Sequence, residues 1–329
     1  MSHIFLSAPI EKPVEPGATG PILELTLESM DGVTRIPLNA VSGYSWLAGS
    51  VGLEMPPVEV ISAHIPGVAG AVVQDVRVEQ RNVIVPIFVG SRQGAHTDHL
   101  VLMDRLRRIV DPLTGTFRIV GTTRRGEREL VCTYTGGLEG DDSPERAGVV
   151  WNRVALTALA TDPFAQARSD RLVEFQAAGG GGVFLGTAGG TDAPWPRALS
   201  SSAVIGDNMR VNVTSEVPVY PTVELVGPMD SFTGTVQLED ASLPPYFGGA
   251  PWSVSIPQGV PAGSTLRLVT DPRARSVRLD GQLAAGRVAL GSTLRPFYPG
   301  VNVMSVSAPG GTSETRVRIR WREKYRSLW

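Results

Sequence analysis

The chain has 329 residues, enough for two hydrophobic cores, and a formal net charge of −2, which removes any global electrostatic argument for nucleic acid, membrane surfaces or polyanionic substrates. A lone Cys132 excludes a disulfide framework or a cysteine metal site, and its strand-like setting predicts a buried, inert thiol. No signal-peptide pattern opens the sequence and no apolar run reaches the ~18 residues of a membrane span, so a soluble protein made in a cytoplasm is expected. Basic residues are nearly all Arg, with Lys only at Lys12 and Lys324, as GC-rich codons produce.

Residues 1–21 carry Pro9, Pro13, Pro16 and Pro21 and read as an extended arm that holds no regular element. Residues 22–38 predict a hairpin with Asp31-Gly32 as its turn. Residues 49–70, rich in Gly and Pro, suit an irregular connection, and 72–90 predicts a second hairpin turning near Gln80-Arg81-Asn82. A single helix is expected over about 97–110. Thr97 is its expected cap, Asp98 suits the positive end, Leu102, Met103, Leu106, Ile109 and Val110 form the apolar stripe, and Asp111-Pro112 stops it. Strands are expected within 115–134 and 149–164.

The stretch 165–205 turns to Gly, Ala and Ser and reads as an interdomain linker. Beyond it, short strands separated by Pro/Gly turns predict a second β-sandwich or jelly roll. The last two strand-like runs, ending in Thr315–Trp321, predict a hairpin with a buried row of Val317, Ile319 and Trp321 and an outer row of Arg316, Arg318 and Arg320. The fold class is therefore mainly β, with two β-sandwich domains of which the first carries the one helix. The boundaries are arm 1–21, first domain 22–168, linker 169–205 and second domain 206–329.

Catalytic signatures are missing: there is no Gly-x-Ser-x-Gly elbow, His-Glu-x-x-His, P-loop or dinucleotide fingerprint, and no catalytic residue, cofactor or metal is assigned. His96 and His99 lack a nearby third ligand and read as exposed helix-start residues. Asp141-Asp142 lacks the alternating oxygens of a calcium loop and reads as a turn. Gly179 to Gly182 lacks the Lys and Ser/Thr of a P-loop. Tyr246, Phe247 and Trp252 stand among Pro and Gly and admit two readings: an exposed platform that stacks saccharide rings, or a plug at the end of the sandwich core. Trp321, Tyr325 and Trp329 are expected in core or interface.

Four passages in this order give a more specific signal. They are the Asp31-Gly32 hairpin followed by Gly43-Tyr44, Gly52 and Pro56-Pro57; VRVEQRNVIVPIFVG before the helix; ALTALATDPF at 155–164; and, in the C-terminal half, VPVYPTVELVGPM, LVTDPRARSVRLDGQ, RPFYPGVNVMSV and RIRWREKYRSLW. Together they resemble the distal tail (Dit-type) minor tail proteins of long-tailed, non-contractile bacteriophages, over nearly the whole chain. The resemblance implies a non-enzymatic virion protein, a hexameric ring at the distal end of the tail that joins the tail tube protein to tail-tip or baseplate proteins. It further implies a galectin-like outer domain that in some relatives touches host cell-wall saccharide, and assembly in the host cytoplasm. Neither sequence-specific nucleic acid binding nor a membrane span is implied. Ile4, Phe5, Leu6 and Ile10 of the arm are then expected to gain order on a neighbouring subunit. The alternative reading is a monomeric carbohydrate-binding protein, or the binding module of a cell-wall hydrolase.

Overall fold

The computed structural model describes residues 23–39, 41–91, 94–140, 149–176, 204–239 and 251–329. The arm with Ile4, Phe5, Leu6 and Ile10, the pair Asp141-Asp142, the run Gly179 to Gly182, and Tyr246 and Phe247 lie outside them.

The first half comprises β1 (Leu23–Ser29), β2 (Arg35–Pro37), β3 (Tyr44–Trp46), β4 (Val58–Ala63), β5 (Val72–Val78), β6 (Arg81–Gly90), α1 (His96–Val110), β7 (Phe117–Thr123), β8 (Gly126–Gly136), β9 (Trp151–Ala160) and β10 (Ala165–Ala167). β2, β1, β7 and β8 pair in that order; β8 then passes on to β9, β6 and β3. The start of β8 pairs with β7, Phe117 opposite Cys132, and its end pairs with β9, Thr133 opposite Leu159. One long strand thus serves both faces of the first sandwich. Its core follows from two-residue alternation: Leu25 and Leu27, Ile119, Leu130, Val83, Val85 and Ile87 all point inward and are buried. The helix seals this core with Met103, Leu106, Ile109 and Val110, and the Tyr44 hydroxyl donates to Leu102 O at 2.7 Å.

The second half comprises β11 (Arg171–Gln176), β12 (Val204–Val213), β13 (Thr222–Val226), β14 (Phe232–Leu238), β15 (Trp252–Ile256), β16 (Thr265–Val269), β17 (Ser276–Leu279), β18 (Gln282–Leu283), β19 (Gly300–Ser307), β20 (Arg316–Trp321) and β21 (Lys324–Tyr325). A six-stranded sheet, β11-β20-β13-β16-β17-β18, faces a four-stranded sheet, β12-β19-β14-β15. A second core, with Phe232, Trp252, Phe297, Met304 and Trp321, fills the space between. The outer Arg row is present but is not bare: Arg318 bonds Glu174 on β11 and Glu224 on β13, each at 3.1 Å. Cross-strand charge pairs of this kind favour one register.

The structure corrects several sequence expectations. β5 does not pair with β6; it pairs with β4, so the supposed irregular stretch 49–70 contains a strand and 72–90 is not a hairpin. Glu79-Gln80 offers no residue suited to the positive φ of a tight hairpin turn, and the chain runs on into the first sandwich. Ala95, not Thr97, is the helix N-cap, and it makes no side-chain cap bond; its own N–H donates to the Ser91 hydroxyl at 3.2 Å. β19 and β20 lie in opposite sheets. Strands facing each other across a sandwich show the same alternation as a paired hairpin, which is why sequence could not separate the two. Within the stretch 169–205, β11 pairs along all six of its residues with β20, and β12 begins at Val204.

The C-terminus returns to the first sandwich. β21 pairs with β10, and Leu328 is fully buried in the first core. It seats over Gly121 of β7, where a Cβ would lie 2.7 Å from Leu328 Cγ, so only Gly leaves room for this approach. Trp329 tilts against Trp46 at 5.8 Å, and the Arg81 guanidinium, buried from solvent, donates to Gly52 O at 3.2 Å and Arg326 O at 2.6 Å. Trp321 in the second core and Tyr325 and Trp329 against the first match the core-or-interface expectation.

Candidate functional site

The described residues singled out for chemistry, Trp252, His96, His99 and Cys132, do not form one site. Trp252 is 1% exposed, edge-on to Phe297 with ring centroids 5.8 Å apart. Its ring plugs the second core and offers no face to a sugar, so the platform reading fails at this residue. It alternates inward with Val254 and Ile256 on β15, and the apolar demand of that strand decides its direction. His99 is buried, not exposed as expected, and burial pushes its imidazole below the ordinary histidine range, with His96 and Arg107 adding to the shift. His96 Nδ1 lies 2.7 Å from Val149 O. Among the described residues no three His, Cys, Asp or Glu side chains gather as a metal site. Cys132 is buried with its thiol pushed up to about 12, as expected of an inert core residue. No helix among the described residues is long and apolar enough to cross a membrane.

Three other features stand out. The first is the β4–β5 hairpin, a two-stranded sheet that, among the described residues, pairs with no other strand. Its register sets Val58 opposite Val78 and Val60 opposite Val76. Those four side chains share one face, between 42% and 56% exposed, while Glu59, Ile61, Asp75 and Arg77 take the other. A two-stranded hairpin is at best marginal in water on its own, and no described residue covers the apolar face of this one.

The second is a patch beside the helix. Leu100, Val101 and Val33 are exposed, and Val33, Thr34, Val101, Asp104, Arg105 and Arg108 line a surface depression of about 410 Å³. Arg107 is paired with Asp104 at 3.1 Å, and Arg105 donates to Arg35 O at 2.9 Å. The last two turns of the helix are therefore locally basic, whereas the hairpin carries Glu59, Asp75 and Glu79 against a single Arg77.

The third is an ionic centre where the chain passes between the sandwiches. Glu28 and Glu129 are 1% and 3% exposed. Arg168 reaches both, at 2.8 and 3.1 Å; Arg35 and Arg118 hold Glu28 at 3.0 and 3.2 Å, and Arg322 holds Glu129 at 3.1 Å. Burial pulls the Glu28 carboxyl upward, and Arg168, Arg35 and Arg118 more than reverse this, leaving it below the ordinary carboxylate range. A neighbouring knot joins Asp162 to Lys324 at 2.6 Å and Arg273 at 3.1 Å, and buried Glu323 to Arg171, Thr214 and Tyr325. Residues from 28 to 324 meet here, which fixes the relative placement of the two halves. Sequence reading missed this centre because its members are far apart in the chain.

No protein-family model matches the chain, and no curated protein is significantly similar to it in sequence. Among solved structures, one that matches is the Dit protein (gp 19.1) of SPP1, a paradigm of the hub adsorption apparatus in Gram-positive-infecting phages. It aligns over 92% of this chain and 99% of its own, at 17% identity and a TM-score of 0.57. A chain of the phage P2 baseplate in its activated conformation with Ca aligns over 93% of this chain and 100% of its own, at 8% identity and a TM-score of 0.47. The order of hairpin, helix and two sandwiches, read from the sequence as Dit-like, is thus borne out at the level of fold: the chain shares the fold of a Dit-type phage distal tail protein.

Proposed function

We propose that this protein is a structural component of a phage tail, a subunit of a closed six-membered ring at the distal end of a long, non-contractile tail. The ring joins the tail tube to tip or baseplate proteins and performs no chemistry. The fold shared with the SPP1 Dit protein motivates this reading. The observation that carries it is the β4–β5 hairpin, whose valine face has no cover among the described residues of its own chain.

A ring requires two different patches that meet head to tail and close after a fixed rotation. The hairpin supplies one patch, apolar with an acidic reverse, and the exposed Leu100–Val101–Val33 surface with its basic helix end supplies the other. On this reading the hairpin of one subunit lies on the helix face of the next. The arm, residues 1–21, adds apolar material for the same contact, and the ring domain spans about 22–168 with the C-terminal tail laid into it. The second sandwich projects outward as a galectin-like domain.

A cysteine-pair experiment tests the packing. Val60→Cys and Val101→Cys proteins, each also carrying Cys132→Ser, are mixed and oxidised. A mixed disulfide dimer that forms faster than either homodimer supports the head-to-tail contact. Equal or absent cross-linking, with both proteins folded, contradicts it.

A further inference from the structure

The base of the β4–β5 hairpin is bound by a segment from the other end of the chain. Glu79 N–H donates to Pro57 O at 2.9 Å, which closes the ladder, and Val51 and Ile84 exchange both backbone bonds at 3.0 Å. Between these ties lie Gly52, Leu53 and Glu54, and there the partners come from residues 326–329. Leu53 O accepts the Leu328 N–H at 2.9 Å. The Glu54 carboxylate accepts the Ser327 hydroxyl at 3.2 Å and the Trp329 indole N–H. Arg81, the first residue of β6, spans the junction by donating to both Gly52 O and Arg326 O, and among the described residues no carboxylate pairs with it. A buried guanidinium served by carbonyls holds them firmly, because losing either would strand donors away from water.

The same segment is rooted in the second sandwich. Lys324 bonds the Ser215 hydroxyl through its N–H at 2.9 Å and its carbonyl at 2.8 Å, and that carbonyl also accepts the Glu216 N–H at 2.9 Å. Arg326 N–H donates to Glu216 Oε2 at 2.9 Å. One residue, Arg326, is thus tied to the second sandwich through its N–H and to the hairpin base through its carbonyl. A two-stranded hairpin has little stability of its own, so its order depends on how its base is held.

We propose that the tail, residues 326–329, is a strap that couples the second sandwich to the β4–β5 hairpin. Seated, it fixes the hairpin's base; drawn away with the second sandwich, it releases the hairpin from its single orientation. Coupling of this kind is reciprocal, so whatever covers the hairpin also steadies the tail. In the ring proposed above, the seating of the second sandwich would set how tightly neighbouring subunits pair. That consequence rests on the proposed function, whereas the coupling is a property of one chain.

Millisecond hydrogen exchange of the full chain, read by mass spectrometry on the amides of β4 and β5, tests it. Labelling is done on the dilute subunit, so the result stands whether or not subunits form a ring. Ser327→Ala/Trp329→Phe removes both donors to Glu54 while keeping an aromatic ring against Trp46, and should speed hairpin exchange about fivefold or more. The deciding variant is Glu216→Ala, an exposed change on the second sandwich that makes no bond to the hairpin. It should speed hairpin exchange about threefold or more, with the two cores as protected as before. Thr270→Val, which removes a buried bond to Pro221 O in the second sandwich away from the tail, should leave the hairpin unchanged. The proposal is overturned if Glu216→Ala leaves hairpin exchange unaltered, even where the tail variant speeds it. It is equally overturned if Thr270→Val has the same effect, which would mean general loosening, or if the hairpin amides are already unprotected in the unaltered protein.

Discussion

Replacing Val60 and Val76 by serine removes two of the four side chains on the hairpin's open face while leaving the backbone ladder intact. In the single chain these residues are 56% and 44% exposed. Full burial of a valine side chain is worth about 1.5–3 kcal/mol. Covering the half still in water therefore contributes about 1 kcal/mol per residue to a subunit contact. The double variant should lose about 2 kcal/mol at each interface, a weakening of roughly 30-fold in Kd. The isolated subunit should hardly notice, since exposed substitutions of this kind stay within about 0.5 kcal/mol each. Sedimentation velocity over a dilution series reads the association midpoint, and thermal unfolding at concentrations below it reads the subunit. A control change on the reverse face, Glu59→Gln, should move the midpoint far less. An unshifted midpoint in Val60→Ser/Val76→Ser would refute the assignment of this face to the interface. A large fall in thermal stability of the dilute subunit would show instead that the valines support their own chain.

Further outcomes follow from the buried ionic centre and the C-terminal tail. Arg168→Met leaves Glu28 and Glu129 buried with fewer partners and should cost about 2–4 kcal/mol in urea unfolding. Adding Glu28→Gln should recover part of it, and a coupling below about 0.5 kcal/mol would contradict the described network. Glu28, Asp162 and Glu323 are held below their ordinary values, near 4.5 for Glu and 3.8 for Asp. Their contribution is therefore complete above that range and is lost as pH falls through the depressed folded values, so the melting temperature should drop steeply below about pH 4. Glu28→Gln should flatten that acid slope, and an unchanged slope would argue against its role. Leu328→Ala should cost about 2–5 kcal/mol, since the side chain fills the first core completely. Early proteolytic loss of the C-terminal residues, with the second sandwich resistant, should accompany it.

Much of this architecture was legible because it depends on local alternation. Residues 22–38, the helix near 97–110 and the inward rows of the later strands emerged directly from period-two and period-3.6 patterns. What stayed hidden was pairing across distance. Nothing local distinguishes β19 and β20 as hairpin partners from the same strands in facing sheets, and nothing near Val72–Val78 says that it returns to Val58–Ala63. The charged centre was invisible for a related reason: Glu28 and Glu129 look like ordinary exposed residues in their own strands, and the arginines that reach them, Arg35, Arg118, Arg168 and Arg322, come from distant parts of the chain. Trp252 shows the converse error. Its Pro- and Gly-rich surroundings suggested exposure, while its own strand, alternating with Val254 and Ile256, already pointed inward.

Electron microscopy of the purified protein at high concentration, alone and with a tail-tube partner, is the most direct test of the central claim. The account predicts rings with sixfold symmetry, a mass near six 35.0 kDa subunits, and in each subunit the β4–β5 hairpin lying across the helix face of the next. Monomers under both conditions, or a twofold dimer that joins the same patch on each copy, would contradict it.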